Sequence, residues 1–323
     1  MQKLVTIIIP VYNGSDFVRE AIDSALGQDY PNIEVVVIND GSKDEGRTDA
    51  ICRGYGEKIR YFAKENGGVS SALNAGVDHA KGELICWLSH DDVYPKDRVS
   101  RQAARFEEIG RKDVILYGDY EIMDASGKVY DVFRNPDVPP ATFFESIVTH
   151  KHFTSLTKWS PFFINGCTLM IPKEAFDRMG RFDETLRTTQ DYDMWERMCT
   201  EYDFIHMDDL LLRSRRHANQ GTRTMYRKMM VESERIALEA IGKYDPSNPR
   251  RNLDIARTAF AMRISMNNTQ AFKVAMRKTF EKKRKTGSDA YYILRSFLWN
   301  KYCTYAMLLI RLVKLELRRM MAK

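Results

Sequence analysis

At 323 residues the chain is long enough for one large α/β domain plus a smaller appendage, and 44% hydrophobic with 29% charged residues excludes a disordered chain. The net charge of +6 is unevenly placed: residues 273–323 carry 14 Lys and Arg against 3 Asp and Glu, which leaves the rest of the chain at −5. The basic character belongs to the C-terminal tail. No nucleic-acid motif accompanies it, so no nucleic-acid partner is expected.

Five cysteines (Cys52, Cys86, Cys167, Cys199, Cys303) are widely spaced, with no C-x-x-C. They read as reduced thiols of a cytoplasmic chain rather than a disulfide framework or a zinc site. Leu4 to Val11 is too short for a signal peptide and contains Pro10. No stretch approaches the about 20 apolar residues that a bilayer span needs. The expectation is a chain that does not span a membrane.

Val5 to Val11 is a continuous apolar run rich in β-branched residues, the pattern of a strand buried on both faces. Ser15 is placed to cap a helix whose face is Phe17, Val18, Ala21, Ile22, Ala25 and Leu26, ended by Gly27. Strands follow at Ile33–Ile38, Ile59–Phe62 and Leu84–Leu88, separated by a weak helix over Asp49–Tyr55 and a helix over Val69–Ala80. After Pro95 a helix runs to about Ile109, and Val114–Tyr117 returns as a strand. Ile122–Phe133 reads as a hairpin, residues 135–160 as a helix-bearing loop, Phe163–Pro172 as a strand and Lys173–Met179 as a short helix. A helix starts near Thr189, Phe204–Arg213 is a final strand, and the pattern is helical from Thr224 onward. The boundary falls near residue 222, giving a domain over 1–222 and a basic helical region over 223–323.

This alternation implies a mostly parallel α/β sheet with right-handed crossovers, flanked by helices. Ligands bind such sheets beyond the carboxyl ends of the strands. The segments lying there are Val11-Tyr12-Asn13, Asn39-Asp40-Gly41-Ser42, Lys64-Glu65-Asn66-Gly67-Gly68 and Ser89-His90-Asp91-Asp92, all polar, Gly-bearing or acidic. The adjacent carboxylates of Asp91 and Asp92, leaving a buried strand, are costly unless a cation sits on them. A dinucleotide-binding dehydrogenase shares the alternation but needs G-x-G-x-x-G after the first strand, which Pro10-Val11-Tyr12-Asn13-Gly14 does not supply.

Taken with Thr188-Thr189-Gln190-Asp191 and Arg215-Arg216-His217-Ala218-Asn219-Gln220, these segments resemble the inverting nucleotide-sugar glycosyltransferases of family 2, with the GT-A fold, over roughly residues 4–222. The resemblance implies that Pro10 and Tyr12 line the pocket of the nucleotide base and that Asp40 accepts a hydrogen bond from it. It implies that Asn66, Gly67 and Asn74 belong to the donor site, and that Gly166 lies close to donor and acceptor. Asp92 becomes a ligand of Mn²⁺ or Mg²⁺, Asp91 a contact to the ribose or a second metal contact, His217 a metal or diphosphate contact, and Arg215 a phosphate ligand. Asp191 becomes the general base that takes the acceptor's hydroxyl proton.

Each segment also has a plainer reading. Asp40-Gly41 suits a type I turn, Gly67-Gly68 a helix entry, the acidic doublet a cap for the helix after Pro95, and Thr188-x-x-Asp191 a capping box. Asp193, two residues past Asp191, is the reserve candidate for the base and, lying well around the helix, is expected in a salt bridge. His150 and His152 read as surface residues. Three departures from the family pattern (Leu73 for Arg, Ser89 for Asp, Gln190 for Glu) keep open a catalytically inactive binding subunit of a polysaccharide assembly complex.

The expected partners are a nucleotide-sugar, UDP-linked by resemblance, and a glycan or lipid-linked glycan acceptor. In the tail, Lys282-Lys283-Arg284-Lys285 precedes apolar residues at helical spacing from Leu294 to Leu315, which suits the inner surface of an anionic membrane. The same helix could instead pack on the catalytic domain or on a twin subunit in a homodimer.

Overall fold

The computed structural model describes residues 2–149, 151–154, 159–218 and 220, the stretches 224–243 and 270–281, and single positions at 245, 248, 250, 258, 261 and 289. The tail from 282 to 323, apart from Asp289, lies outside the described residues, as do His150 and the 221–223 segment at the expected boundary.

Four parallel strands form the centre: β1 (Val5–Val11), β2 (Ile33–Asn39), β3 (Arg60–Ala63) and β4 (Leu84–Trp87), in the order β3-β2-β1-β4. Every residue of β1 and β4 is buried, which is why both read as unbroken apolar runs. Between them lie α1 (Val18–Leu26), α2 (Arg47–Arg53) and α3 (Val69–His79), with α1 and α3 packed on β1 and β2.

Ser15 does not cap α1. The helix opens at Phe17, which has no side-chain cap, and the Phe17 and Val18 amides donate to the Gly14 carbonyl across a turn. The turn satisfies amides that the serine was expected to serve.

Helix α4 (Arg98–Ile109) leads to a second sheet, ordered β10-β5-β6, from β5 (Val114–Met123), β6 (Val129–Phe133) and β10 (Asp203–Arg215). The hairpin expected over 122–133 is the β5–β6 turn, closed by Asp124. Next come α5 (Pro140–Thr149) and a small ribbon of β7 (Lys151–Phe153) and β8 (Trp159–Pro161).

The strand expected over Phe163–Pro172 is mostly absent. Asn165 Oδ1 accepts from the Cys167 amide at 3.0 Å and starts a 3₁₀ turn over Gly166–Thr168, so only β9 (Ile171–Pro172) pairs, antiparallel to β4. The apolar run is buried by packing instead of by a ladder. With Met170 bridged to Leu116, these few residues stitch the two sheets together.

Two helices follow, α6 (Lys173–Met179) and α7 (Gln190–Met198). Beyond residue 222, α8 (Tyr226–Gly242) sets Ala237, Ala240 and Ile241 into the same core, against α5 and α7, and α9 (Gln270–Glu281) packs on α8. The described part of the C-terminal region therefore shares the core of the sheet domain. Among the described residues, no helix is long and apolar enough to cross a membrane. The described cysteines, Cys52, Cys86, Cys167 and Cys199, are all free and buried.

At the centre, the Trp87 ring of β4 stacks on Trp195 of α7, with centroids 5.4 Å apart and planes at 13°, and Phe182 meets Trp87 edge-on. Trp195 is fully buried. Trp195→Ala is expected to cost about 3–5 kcal/mol, read from the shift in chemical denaturation. A loss below about 1 kcal/mol would remove this ring as the post between sheet and helix.

Candidate active site

The loops after β1, β2, β3 and β4 meet at one edge, and hydrogen bonds join them. The Asn13 amide donates to Ser42 Oγ at 2.9 Å, while Asn13 Oδ1 accepts from the Lys43 amide at 2.7 Å. Gly41 has φ +70°, and a Cβ there would sit 2.7 Å from the Asn66 amide nitrogen, so only glycine lets the second and third loops approach this closely. Tyr12 keeps an exposed ring at the end of β1, whereas Pro10 is buried within it.

Asp40 is buried and its carboxylate faces the third loop. Oδ1 accepts from the Gly67 amide at 2.9 Å and from Lys64 Nζ at 2.9 Å; Oδ2 accepts from the Gly68 amide at 2.7 Å. Asn66 Nδ2 donates to the Asp40 carbonyl at 2.8 Å. In this arrangement Asp40 first closes the loop at the start of α3.

Two residues expected in the donor site are otherwise employed. Asn74 Nδ2 donates to the Phe182 carbonyl and to Glu184 Oε1, and its Oδ1 accepts from the Phe182 amide. Its amide pins α3 to residues 182–184. Arg215 is equally committed: its side chain donates to the Asp91 carbonyl, the Ala125 carbonyl and Glu20 Oε2, and lies 4.7 Å from the Phe17 ring centre. Buried at 2% exposure, it braces the acidic loop from behind.

Two cations that the motif reading missed stand closer to open space. Arg216, the next residue, makes one side-chain hydrogen bond among the described residues, to Gln220 at 3.4 Å, and its charge acts on Asp92 and Tyr120. Arg187, before α7, donates to the Gly67 carbonyl; a Cβ on Gly68 would fall 2.0 Å from its Nη1. Leu73, where the family often has Arg, is buried in the core. No spacing rule connects Arg187 to Gly67, 120 residues away.

The acidic doublet is buried. Asp92 Oδ1 accepts from the Arg215 amide at 2.8 Å, and His217 Nε2 lies 2.9 Å from Asp91 Oδ2. The imidazole thus meets Asp91 rather than Asp92. Burial first, and then the Asp91 charge, push the Asp92 carboxyl up to about 8 against the pull of Arg215 and Arg216. A buried pair this short of positive charge fits a divalent cation. Asp91, Asp92 and His217 do not by themselves bring three ligand atoms within 4.8 Å; among the described residues only Asp119, His206 and Asp208 do. In that group both ring nitrogens of His206 already meet carboxylates, Asp119 at 2.8 Å and Asp137 at 2.9 Å, and Arg134 pairs with Asp119. It is built as an ion-pair network. His90 is packed against Gly14, and burial lowers its basicity.

Asp191 stands half-buried in the first turn of α7. Its Oδ1 accepts from the Tyr192 amide at 2.9 Å, and withdrawal from water pushes the carboxyl up to about 6. The capping-box reading fails, because Thr188 donates its hydroxyl to Glu232 instead and α7 has no side-chain cap. Asp193 pairs with Arg197 at 2.8 Å. Charge interactions link the two sites: after burial, the Asp92 charge raises the Tyr120 phenol, and the charges of Asp191 and Tyr120 raise that of Tyr192. Gly166 closes the floor, since a Cβ there would fall 2.1 Å from the Trp87 ring.

Residues 6–180 match the model of glycosyl transferase family 2. The chain belongs to that family. An uncharacterized glycosyltransferase of Rickettsia felis is 46% identical over 221 residues, 68% of this chain and 35% of that protein; the chain thus spans about a third of the length of several curated relatives it matches. Two solved structures share its GT-A fold. Staphylococcus aureus TarS 1–349 in complex with UDP-GlcNAc superposes with TM-score 0.55 at 20% identity, covering 90% of this chain and 78% of that one. The mannosyltransferase PcManGT of Pyrobaculum calidifontis, in complex with GDP-Man and Mn²⁺, gives 0.56 at 18%, covering 95% and 84%.

The raised Asp92 carboxyl has a thermodynamic consequence. An acid with a folded pKa above its unfolded value lowers stability progressively as pH rises from about 4 to about 8. Without divalent cations, Asp92→Asn is therefore expected to raise the melting temperature, by more at pH 8 than at pH 5. Added Mn²⁺ should stabilise the parent chain and not the variant. A variant less stable than its parent at both pH values would show that the carboxyl carries no uncompensated charge.

Proposed function

We propose that the chain transfers a sugar from a nucleotide diphosphate, UDP-linked, to a hydroxyl of a glycan or lipid-linked glycan, with inversion at the anomeric carbon. One observation carries the reading: the carboxyl sites Asp91-Asp92 and Asp191 are linked by charge interactions that run through Tyr120 and Tyr192, and each holds an acid pushed above its ordinary range.

On the donor side, Tyr12 and the loops joined by Asn13 and Asp40 receive the nucleoside. Arg216, and Arg187 beside the Gly67-Gly68 amides at the start of α3, face the diphosphate. Asp92 and Asp91, with His217 paired to Asp91, would hold Mn²⁺ or Mg²⁺. Bound there, the ion supplies positive charge to a leaving diphosphate.

On the acceptor side, Asp191 takes the hydroxyl proton as the bond from the acceptor oxygen to the anomeric carbon forms. The bond to the diphosphate breaks on the opposite face, and its electrons leave with the β-phosphate. A single displacement needs no second nucleophilic carboxylate. A pKa near 6 suits a base working near neutrality. Residues 1–222 hold this machinery, and the basic tail is assigned to the membrane surface that presents the acceptor.

Support for an enzyme over an inactive binding subunit comes from the fate of the three departures. Leu73 is a core residue, with Arg187 at the loop it would have served; Ser89 packs on Cys167 Sγ at 3.3 Å; and Gln190 leaves Asp191 as the carboxylate of its segment.

Release of the nucleoside diphosphate (UDP from UDP-GlcNAc and UDP-glucose, GDP from GDP-mannose) with Mn²⁺, and again with EDTA, tests the assignment. Release of nucleotide from none of them, or the same rate in EDTA, counts against it. Asp191→Asn is expected to slow release about 10²–10⁴-fold while UDP binding by calorimetry stays within threefold. Below pH 6 the parent rate should fall about tenfold per pH unit, as protonation removes the base. A flat profile between pH 5 and 7 would point to another base.

A further inference from the structure

Residues 187–189 form no helix or strand, yet they connect the arginine lying on Gly67 to the helix that begins at Gln190. A linker of this kind samples many conformations unless its polar groups are held. They are held by one side chain. Glu232 of α8 accepts from the Arg187 amide at 3.0 Å through Oε1. Through Oε2 it accepts from the Thr188 amide at 2.9 Å, the Thr188 hydroxyl at 2.6 Å and the Thr189 hydroxyl at 3.2 Å.

Glu232 is buried at 7% exposure. Burial alone would raise its carboxyl, but these hydrogen bonds outweigh it and keep the group below its usual range. A buried carboxylate with no Lys or Arg paired to it among the described residues, and spent on three consecutive residues, is an expensive way to support a loop. Ordinary apolar packing of α8, through Ala237, Ala240 and Ile241, would hold the helix without it.

We infer that Glu232 is a positioning residue for the transfer reaction: by fixing residues 187–189 it sets Asp191 at the start of α7 and Arg187 against the Gly67 loop. Helix α8, beyond the segment that matches the family, thereby completes the active site. The inference rests on the reading of Asp191 as the base.

A second polar link between the same elements supplies a control. Lys243, just after α8, pairs with Glu196 of α7 at 3.5 Å, an ion pair involving none of residues 187–191. The test uses the full chain, the panel donor from which UDP is released fastest, UDP binding in Mn²⁺ by calorimetry, and thermal melting. Glu232→Gln is expected to lower kcat at least tenfold, with the donor KM and the UDP affinity within threefold of the parent. Lys243→Ala is expected to lower the melting temperature while kcat stays within twofold. Glu232→Asp, which keeps the charge and withdraws it by one methylene, should fall between parent and Glu232→Gln, and it serves if the Gln variant does not fold.

A folded Glu232→Gln with kcat within twofold of the parent overturns the inference. So does a Lys243→Ala variant that loses kcat to the same extent. Asp191→Asn separates the two readings. If that variant releases UDP at the parent rate, the base assignment falls and this inference with it; if it is inactive while Glu232→Gln is not, this inference alone falls.

Discussion

The stacked indoles of Trp87 and Trp195 set the spacing on which the site depends. Trp87 ends β4 four residues before Asp91, and Trp195 lies on α7 four residues after Asp191. Fixing the two rings fixes the distance between the sheet edge that carries the acidic doublet and the helix turn that carries the opposite carboxylate. An aromatic pair contributes about 0.5–1.5 kcal/mol beyond its burial. Its larger value here is rigidity, because both indoles sit in a core that tolerates little movement. Gly166 belongs to the same constraint, since a side chain there would enter the Trp87 ring.

Around that post the protein separates charges that build the site from charges left to act in it. Arg215, Lys64 and Glu232 are consumed internally: one braces the Asp91-Asp92 loop, one closes the Asp40 loop, and one holds the linker before α7. Arg216 and Arg187 are the cations assigned to the diphosphate, and Asp92 and Asp191 remain costly carboxyl groups in low-dielectric surroundings. Such tension between stability and readiness is usual where electrostatic work is done.

The C-terminal helices belong to this arrangement more closely than an appendage would. Helix α8 adds apolar residues to the common core and one carboxylate to the linker before α7. A boundary at 222 marks where the helical pattern begins; it does not mark where the site's dependencies end.

Much of the framework was legible in the residues. β1, β2 and β4 announce themselves because a strand buried on both faces must be apolar throughout. Parallel connection then carries the loops at 12–13, 39–42, 64–68 and 89–92 to one edge, whatever the side-chain details. The acidic doublet is visible because a carboxylate beside an apolar run demands a reason, whereas Asp191 is singled out by the resemblance to the family. Tertiary structure alone decided how neighbouring residues divide their labour: Arg215 turns inward and Arg216 outward, Asn74 ties α3 to residues 182–184, and Asn165 bends an apolar run out of strand geometry. It also brought together Arg187 with Gly67 and Glu232 with Thr188, 120 and 44 residues apart. Periodicity reports which faces are buried and local chemistry reports which groups need partners. Which partner is found depends on packing between distant elements, and no local pattern encodes that.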